Sequence, residues 1–109
     1  MSFREAKITE AIKNLAASFL QRESNSTSLI TVTNVQLSDD LKTAKIFITV
    51  LPESAEESAL EFTKRKRSDF RDFIKESLRI RQIPFFDFQI DLGEKTRQKI
   101  DEISKSINN

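Results

Sequence analysis

The chain lacks the residues on which most protein chemistry near neutral pH depends. Its 109 residues include no cysteine, histidine, tryptophan or tyrosine. Without cysteine there is no disulfide framework, no thiolate nucleophile and no cysteine metal site. Without histidine the chain has neither the usual general base nor the commonest metal ligand, so it cannot assemble a Ser-His-Asp or Cys-His arrangement. We therefore predict that the protein is not an enzyme and has no catalytic residues, no metal site and no cofactor.

Carboxylates and apolar runs offer no alternative class of protein. Adjacent acids occur at Asp39 and Asp40 and at Glu56 and Glu57, but such pairs in a turn or a first helical turn are usually solvated. No run approaches the roughly 18 apolar residues of a membrane span, and residues 1–21 are amphipathic, unlike a signal peptide. The length of 109 residues and the 32% of charged residues fit one soluble domain. We expect a cytoplasmic monomer with no membrane or small-molecule partner.

Positive charge is concentrated in one stretch, from Lys64 to Ile90. This stretch holds eight basic and four acidic residues, a net of four positive charges in a chain whose total is +1. A basic helix end complements the helix dipole, but four successive cations, from Lys64 to Arg67, exceed what a helix end needs. Such a concentration is typical of a surface that meets a polyanion. The stretch therefore predicts a nucleic-acid contact.

The first half of the chain predicts a helix and a β-hairpin. The apolar residues at helical spacing are Ile8, Ile12, Leu15 and Phe19. The polar run 23–28 predicts a loop, after which the apolar period becomes two, with a slip of one residue at Asn34 that indicates a β-bulge. A turn over 38–42 precedes a second strand at 44–50, which Pro52 ends. We expect the two strands to pair antiparallel.

Two helices separated by a break are predicted next. Ser54 and Glu57 fit a capping box for the first helix, which runs to about Arg67. Ser68 is a good N-cap residue and predicts a break before a second helix, which Pro84 ends. The core-facing residues of the second helix are Phe70, Phe73, Ile74 and Leu78. A neighbouring exposed stripe carries cations at steps of four, namely Arg67, Arg71, Lys75 and Arg79, which can lie against successive phosphates.

The end of the chain predicts a third strand and a final helix. A strand at 86–90 follows a helical connection, so we expect it to lie parallel to the second strand. Most of the nine phenylalanines suit the core, whereas the alternation points Phe85 away from it. After Gly93 an apolar stripe at helical spacing predicts a tail helix, which either frays or presents that stripe to a partner. We place the folded domain at residues 1–92 and the helical tail at 93–109.

The order of these elements is typical of an RNA-binding architecture. Helix, strand, strand, helix, break, helix and strand, with a short final helix, is the layout of a type II KH domain, an α+β fold with a three-stranded sheet packed on helices. The residues themselves resemble the bacterial ribosome-binding factor A family over nearly the whole chain. The matching segments are ITVTNVQLSDDLKTAKIFITVL (30–51), LRIRQIPFFDF (78–88) and IDEI (100–103).

This resemblance implies more than the spacing shows. In that family a kinked Ala-x-Gly break replaces the Gly-x-x-Gly loop of KH domains. Aligned back from Pro84, the break falls on Lys66, Arg67 and Ser68, where lysine and serine stand in place of alanine and glycine. Ser68 can still cap a restarted helix, and the added cations are expected to strengthen phosphate contacts. The resemblance implies binding to the immature 30S subunit and its 16S rRNA, and assistance in late assembly and rRNA maturation, above all in the cold.

The basic stretch and the resemblance together predict which residues contact RNA, by holding phosphates rather than by reading base edges. The predicted set is Lys64, Arg65, Lys66, Arg67, Ser68, Arg71, Lys75, Arg79 and Arg81. The alternative is a KH-like protein-interaction module that acts through an acidic face and the tail helix. That face lies between Ser38 and Phe62 and contains Asp39, Asp40, Glu53, Glu56, Glu57 and Glu61 against Lys42 and Lys45.

Overall fold

The structure, a computed structural model, describes residues 3–24 and 28–108. The elements within these residues are α1 (Phe3–Glu23), β1 (Leu29–Leu37), β2 (Thr43–Leu51), a 3-10 turn (Glu53–Ala55), α2 (Glu56–Arg65), α3 (Arg67–Ser77), β3 (Phe85–Ile90) and α4 (Leu92–Asn108). The strands form one sheet in the order β1-β2-β3. β1 pairs antiparallel with β2, and β3 pairs parallel with β2, so the predicted α+β, KH-like arrangement is confirmed.

The slip in the first strand is a β-bulge, as the sequence predicts. The pairing of β1 with β2 shifts between Val32 and Asn34, so Thr33 is the extra residue. The bulge lets Val32 and Val35 both face the core although a regular strand would place them on opposite faces. The Thr33 hydroxyl donates a hydrogen bond to Asp91 Oδ2 at 2.5 Å, which ties the bulge to the residue before α4.

The core lies between one face of the sheet and helices α1 to α3. Phe70 of α3 is at its centre, and its ring centroid lies 5.2 Å from that of Phe19, 4.7 Å from Phe86 and 5.7 Å from Phe88. These four rings are buried, whereas Phe85 is 54% exposed, as predicted. The buried hydrophobic residues are Ile12, Ala16, Phe19, Leu20, Val32, Val35, Ala44, Ile46, Ile48, Val50, Ala59, Phe70, Ile74, Phe86 and Phe88.

The start of α2 differs from the predicted capping box. A hydrogen bond of 2.9 Å from the Ala55 amide to the Pro52 carbonyl closes the 3-10 turn before the helix. Ser54 therefore lies inside that turn, and Ala55 takes the N-cap position with no side-chain cap. The predicted capping box of Ser54 with Glu57 is wrong because the chain already forms a 3-10 turn directly after Pro52.

The break between α2 and α3 is a single residue, Lys66, so α2 ends at Arg65 and not at Arg67. Lys66 has φ −92° and ψ 3°, between the helical and extended regions. Its amide donates to the Phe62 carbonyl at 3.0 Å and its carbonyl accepts from the Phe70 amide at 2.9 Å, so hydrogen bonds continue on both sides. The break is confirmed, but Ser68 lies in the first turn of α3 and is not its cap.

The second of the two helices is shorter than predicted. It ends at Ser77, well before Pro84, and Leu78 already has an extended backbone with φ −121° and ψ 135°. Side chains then alternate between half-buried and exposed, which is the period of extended chain. The half-buried ones are Leu78 and Ile80, and the exposed ones are Arg79 and Arg81. Arg79 therefore does not lie on α3, and the prediction that it continues the helical stripe is wrong.

The tail helix is present, and Asp91 caps it. Asp91 Oδ1 accepts a hydrogen bond of 3.0 Å from the Glu94 amide in the first turn of α4. The hydrogen bond from Thr33, and after it that from Glu94, hold the pKa of Asp91 below its ordinary value. In the described part of the chain, no helix is both long and apolar enough to cross a membrane.

Candidate RNA-binding surface

Three cations of the predicted set share one face of α3. Arg67, Arg71 and Lys75 follow one another at steps of four, so they lie in one row along the helix, which we call the α3 row. Arg71 and Lys75 are exposed. Within residues 3–24 and 28–108, neither of them forms an ion pair. The row is thus open to a ligand that carries negative charge.

The first two residues of the α3 row, Arg67 and Arg71, line a cleft beside the start of β3. This β3 cleft has a volume of about 320 Å3. Its cations are Arg67 and Arg71 together with Lys42, which comes from the turn between β1 and β2. Its other lining residues are Gln82, Ile83, Pro84, Phe85 and Phe86. Because no carboxylate of the described residues lines it, the cleft has an excess of positive charge.

Arg67 and Phe85 both line this cleft and contact each other. The guanidinium carbon of Arg67 lies 4.5 Å from the centroid of the Phe85 ring, within the range of a cation–π contact. Arg67 Nε is buried and has no hydrogen-bond partner in the part of the chain described. An aromatic ring and not a carboxylate therefore holds this guanidinium in place.

Lys42 is a cation of this surface that the sequence-based set omits. Its amide donates to Asp40 Oδ1 at 3.0 Å, and its carbonyl accepts from the Phe85 amide at 2.8 Å, so its backbone is fixed against the start of β3. The hydrogen bond from the Ser38 hydroxyl, and after it that from Lys42, lower the pKa of Asp40. The predicted parallel pairing of the second and third strands could have indicated this position of Lys42, since the next residue, Thr43, pairs with Phe85.

Other predicted cations lie around the junction of α2 and α3. Lys66 Nζ lies 3.8 Å from a carboxylate oxygen of Glu23 and 3.8 Å from one of Asp69, so this charge is partly compensated within the chain. Arg65 lines a surface pocket together with Lys66, Glu23 and Asp69, and Lys64 is exposed on α2. These cations flank the α3 row but do not extend it.

Arg79 and Arg81 lie in the extended segment after α3. Arg81 lines a cavity of about 400 Å3 that also contacts Arg4 of α1, while Arg79 is exposed. The structure therefore brings Arg67, Arg71 and Lys75 together and disperses the rest of the predicted set.

The acidic face meets the tail helix along what we call the α4 seam, formed by Glu53, Glu56, Lys95 and Lys99. Lys95 Nζ lies 2.6 Å from Glu53 and 3.0 Å from Glu56, and Lys99 Nζ lies 3.5 Å from Glu53. The hydrogen bond from Lys95 lowers the pKa of Glu53, and the hydrogen bonds to Glu53 and Glu56 raise the pKa of Lys95. Among the described residues, no three carboxylates are arranged to hold a metal ion.

A three-stranded KH-like domain with an uncompensated row of helix cations beside a cleft belongs to the class of domains suited to bind an extended polyanion. The comparison with known families is specific. The chain belongs to the ribosome-binding factor A family, whose model matches residues 4–104, and the predicted family resemblance is confirmed.

Individual relatives agree with this assignment. Ribosome-binding factor A of Thermodesulfovibrio yellowstonii is 40% identical over 78 residues, which cover 72% of this chain and 66% of that protein. That of Natranaerobius thermophilus is 30% identical over 108 residues, covering 96% and 82%. The crystal structure of the factor from Thermus thermophilus has a TM-score of 0.71 at 24% identity, covering 78% and 92%. Coordinates of the T. thermophilus factor fitted into a cryo-EM map of its 30S complex give 0.66 at 24%, covering 74% and 88%.

Proposed function

We propose that this protein is a ribosome-binding factor that binds the immature 30S subunit through its 16S rRNA. It assists late assembly and the processing and maturation of that rRNA, and it matters most in the cold, where misfolded RNA rearranges slowly. The observation that carries this proposal is the uncompensated α3 row on a chain of the ribosome-binding factor A family. A relative from T. thermophilus forms a complex with the 30S subunit, which supports the choice of partner.

The mechanism is binding and positioning, with no bond made or broken. Side chains four residues apart on a helix are separated by about 5–6 Å at Cβ, so the row can contact a run of phosphates. Each contact releases counterions, and the affinity should therefore fall steeply with salt. We assign the main contacts to Arg67, Arg71 and Lys75, which share one face. Flanking contacts are assigned to Lys64, Arg65, Lys66, Ser68, Arg79 and Arg81.

The alternative of a protein-interaction module has less support. Its acidic face should be free to meet a basic partner, but Glu53 and Glu56 already bind Lys95 of the tail helix. Asp40 of the same face is held within its own turn by Ser38. Asp40, Glu53 and Glu56 thus serve polar contacts within the chain. By contrast, Arg71 and Lys75 of the α3 row form no ion pair with a described residue.

Co-sedimentation with immature and mature small subunits tests the proposal. The variant is Arg71→Gln with Lys75→Gln, and the matched control is Lys45→Gln with Lys99→Gln, which removes the same charge from the opposite sheet face and from α4. We expect the wild type and the control to bind the immature particle preferentially and the α3 variant to lose most of that binding. The proposal would be wrong if the wild type showed no preference between the immature and the mature particle.

A further inference from the structure

The β3 cleft presents an aromatic ring that the fold does not use in its core. Phe85 is 54% exposed at the start of β3, an edge strand, whereas its neighbour Phe86 packs against Phe70 with 4.7 Å between ring centroids. A side chain of this size gains little stability from an exposed position, because hydrophobic stabilisation follows the apolar area removed from water. The exposed part of the ring is therefore available to a ligand.

The positive charges around the Phe85 ring indicate that the ligand is negatively charged. Arg67 lies against the ring at 4.5 Å, and Arg71 and Lys42 stand beside it on the same cleft. Lys42 is held there from both sides of its backbone, by the bond of 3.0 Å from its amide to Asp40 and by the bond of 2.8 Å from the Phe85 amide to its carbonyl. The cleft thus combines a flat apolar surface with three cations and, among the described residues, has no carboxylate in its lining.

Resting on the function proposed above, we propose that the β3 cleft binds one unpaired nucleotide of a single-stranded RNA segment. Its base stacks on the part of the Phe85 ring that Arg67 leaves exposed, and its phosphates are bound by Arg71 and Lys42. Single-stranded RNA exposes base faces, and a basic groove with an aromatic ring is how proteins bind it without reading sequence. A duplex keeps its base faces inside the stack. A volume of about 320 Å3 lies at the lower end for small-ligand sites and suits one nucleotide.

The test separates stacking from charge. A fluorescein-labelled RNA hexamer of adenosines and an abasic hexamer with the same phosphates are titrated against the protein at fixed salt, with anisotropy as the readout. The variant is Phe85→Ala, and the control is Leu51→Ala, which truncates a residue of similar exposure, 57% against 54%. We expect Phe85→Ala to weaken binding of the base-bearing hexamer by about tenfold, since stacking contributes on the order of 1–3 kcal/mol per base.

The abasic hexamer and a charge-removal variant show whether a loss of binding comes from stacking or from charge. The abasic hexamer should bind equally to the wild type and to Phe85→Ala, and Lys42→Gln with Arg71→Gln should weaken both hexamers. The inference is overturned if Phe85→Ala leaves the adenosine hexamer unaffected, if it weakens both hexamers equally, or if a glutamate hexapeptide competes as well as the RNA. The proposed function stands in each of those cases provided that the α3 row variant still loses the immature 30S particle.

Discussion

The α3 row and the α4 seam are both rich in cations, but they differ in what those cations contact. In the seam, Lys95 lies within 3.0 Å of two carboxylates, which join α4 to the 3-10 turn and the start of α2. In the row, Arg67 lies against a phenylalanine ring, and Arg71 has no ion pair with any described residue. The comparison teaches that a count of charges does not locate a binding surface. What distinguishes the row from the seam is that Arg71 and Lys75 share one helix face and form no ion pair with a described residue.

The seam and the row also differ in how they relate to the stability of the fold. Glu53 and Lys99 of the seam are more than half exposed, and ion pairs at such positions stabilise a protein little. We therefore expect the seam to act as a local attachment and not as a main source of fold stability. The row is anchored instead by the opposite side of its helix, where Phe70 and Ile74 are buried. In our account, stability and RNA binding therefore depend on different faces of α3.

The largest expected effect comes from removing the support of the row. Phe70→Ala should destabilise the domain by about 3–5 kcal/mol, because it leaves a cavity among three other rings. Such a loss is a large part of the roughly 5–15 kcal/mol that stabilises a domain. Urea unfolding followed by circular dichroism measures it. The control is the exposed Phe85→Ala, which should change the free energy of unfolding by less than about 0.5 kcal/mol, and an equal loss in both variants would contradict the account.

A smaller effect is expected at the attachment of α4. Asp91→Ala should cost about 1 kcal/mol, since Asp91 caps the helix and accepts the Thr33 hydrogen bond. Asp91→Asn retains a capping side chain and should cost less. The difference between the two variants in urea unfolding at pH 7 tests the cap, and Asp91→Ala behaving like the wild type would count against it.

The pH dependence of stability isolates the charge of the same residue. The pKa of Asp91 is lowered in the folded state, so its contribution is present above the unfolded-state pKa of about 3.9 and is lost as the pH falls through the lower folded pKa. The wild type should therefore lose more stability than Asp91→Asn when the pH falls below about 4. Parallel losses in the two proteins would show that the carboxylate charge contributes nothing.

The smallest effect is expected from the seam. Lys95→Gln removes the contacts with Glu53 and Glu56 and should speed amide hydrogen exchange at the start of α4. Its RNA affinity should match that of the Lys45→Gln with Lys99→Gln control, because in our account the seam does not contact RNA. A loss of RNA affinity as large as that of the α3 row variant would erase the distinction between the two regions.

Much of this fold can be predicted from the sequence because local patterns determine it. The bulge and the exposure of Phe85 follow from period-two alternation, and the parallel third strand follows from the helical connection before it. The end of α3 was missed because LRIR is compatible with a helix, although its alternation of apolar and basic residues already indicates extended chain. The break was predicted over three residues because the Ala-x-Gly pattern of the family aligns there, with Ser68 as a cap. Continuous backbone hydrogen bonds around Lys66 make that cap unnecessary.

The candidate site was less predictable because it depends on contacts between distant segments. Arg67, Arg71 and Lys75 follow from helical spacing alone. Lys42 joins them only through the register in which Thr43 pairs with Phe85, and no local pattern contains that register. The compensation of Lys66 by Glu23 likewise requires α1 to pack beside the break.

The salt dependence of binding to an rRNA fragment tests the central claim most directly. Affinities of the wild type, of Arg71→Gln with Lys75→Gln and of the Lys45→Gln with Lys99→Gln control are measured over a range of salt. Each phosphate contact contributes about 0.7 to the slope of log affinity against log salt for a single strand and about 0.9 for a duplex. We predict a slope about 1.4 to 1.8 shallower for the α3 row variant and an unchanged slope for the control. Equal slopes for all three proteins would contradict the account.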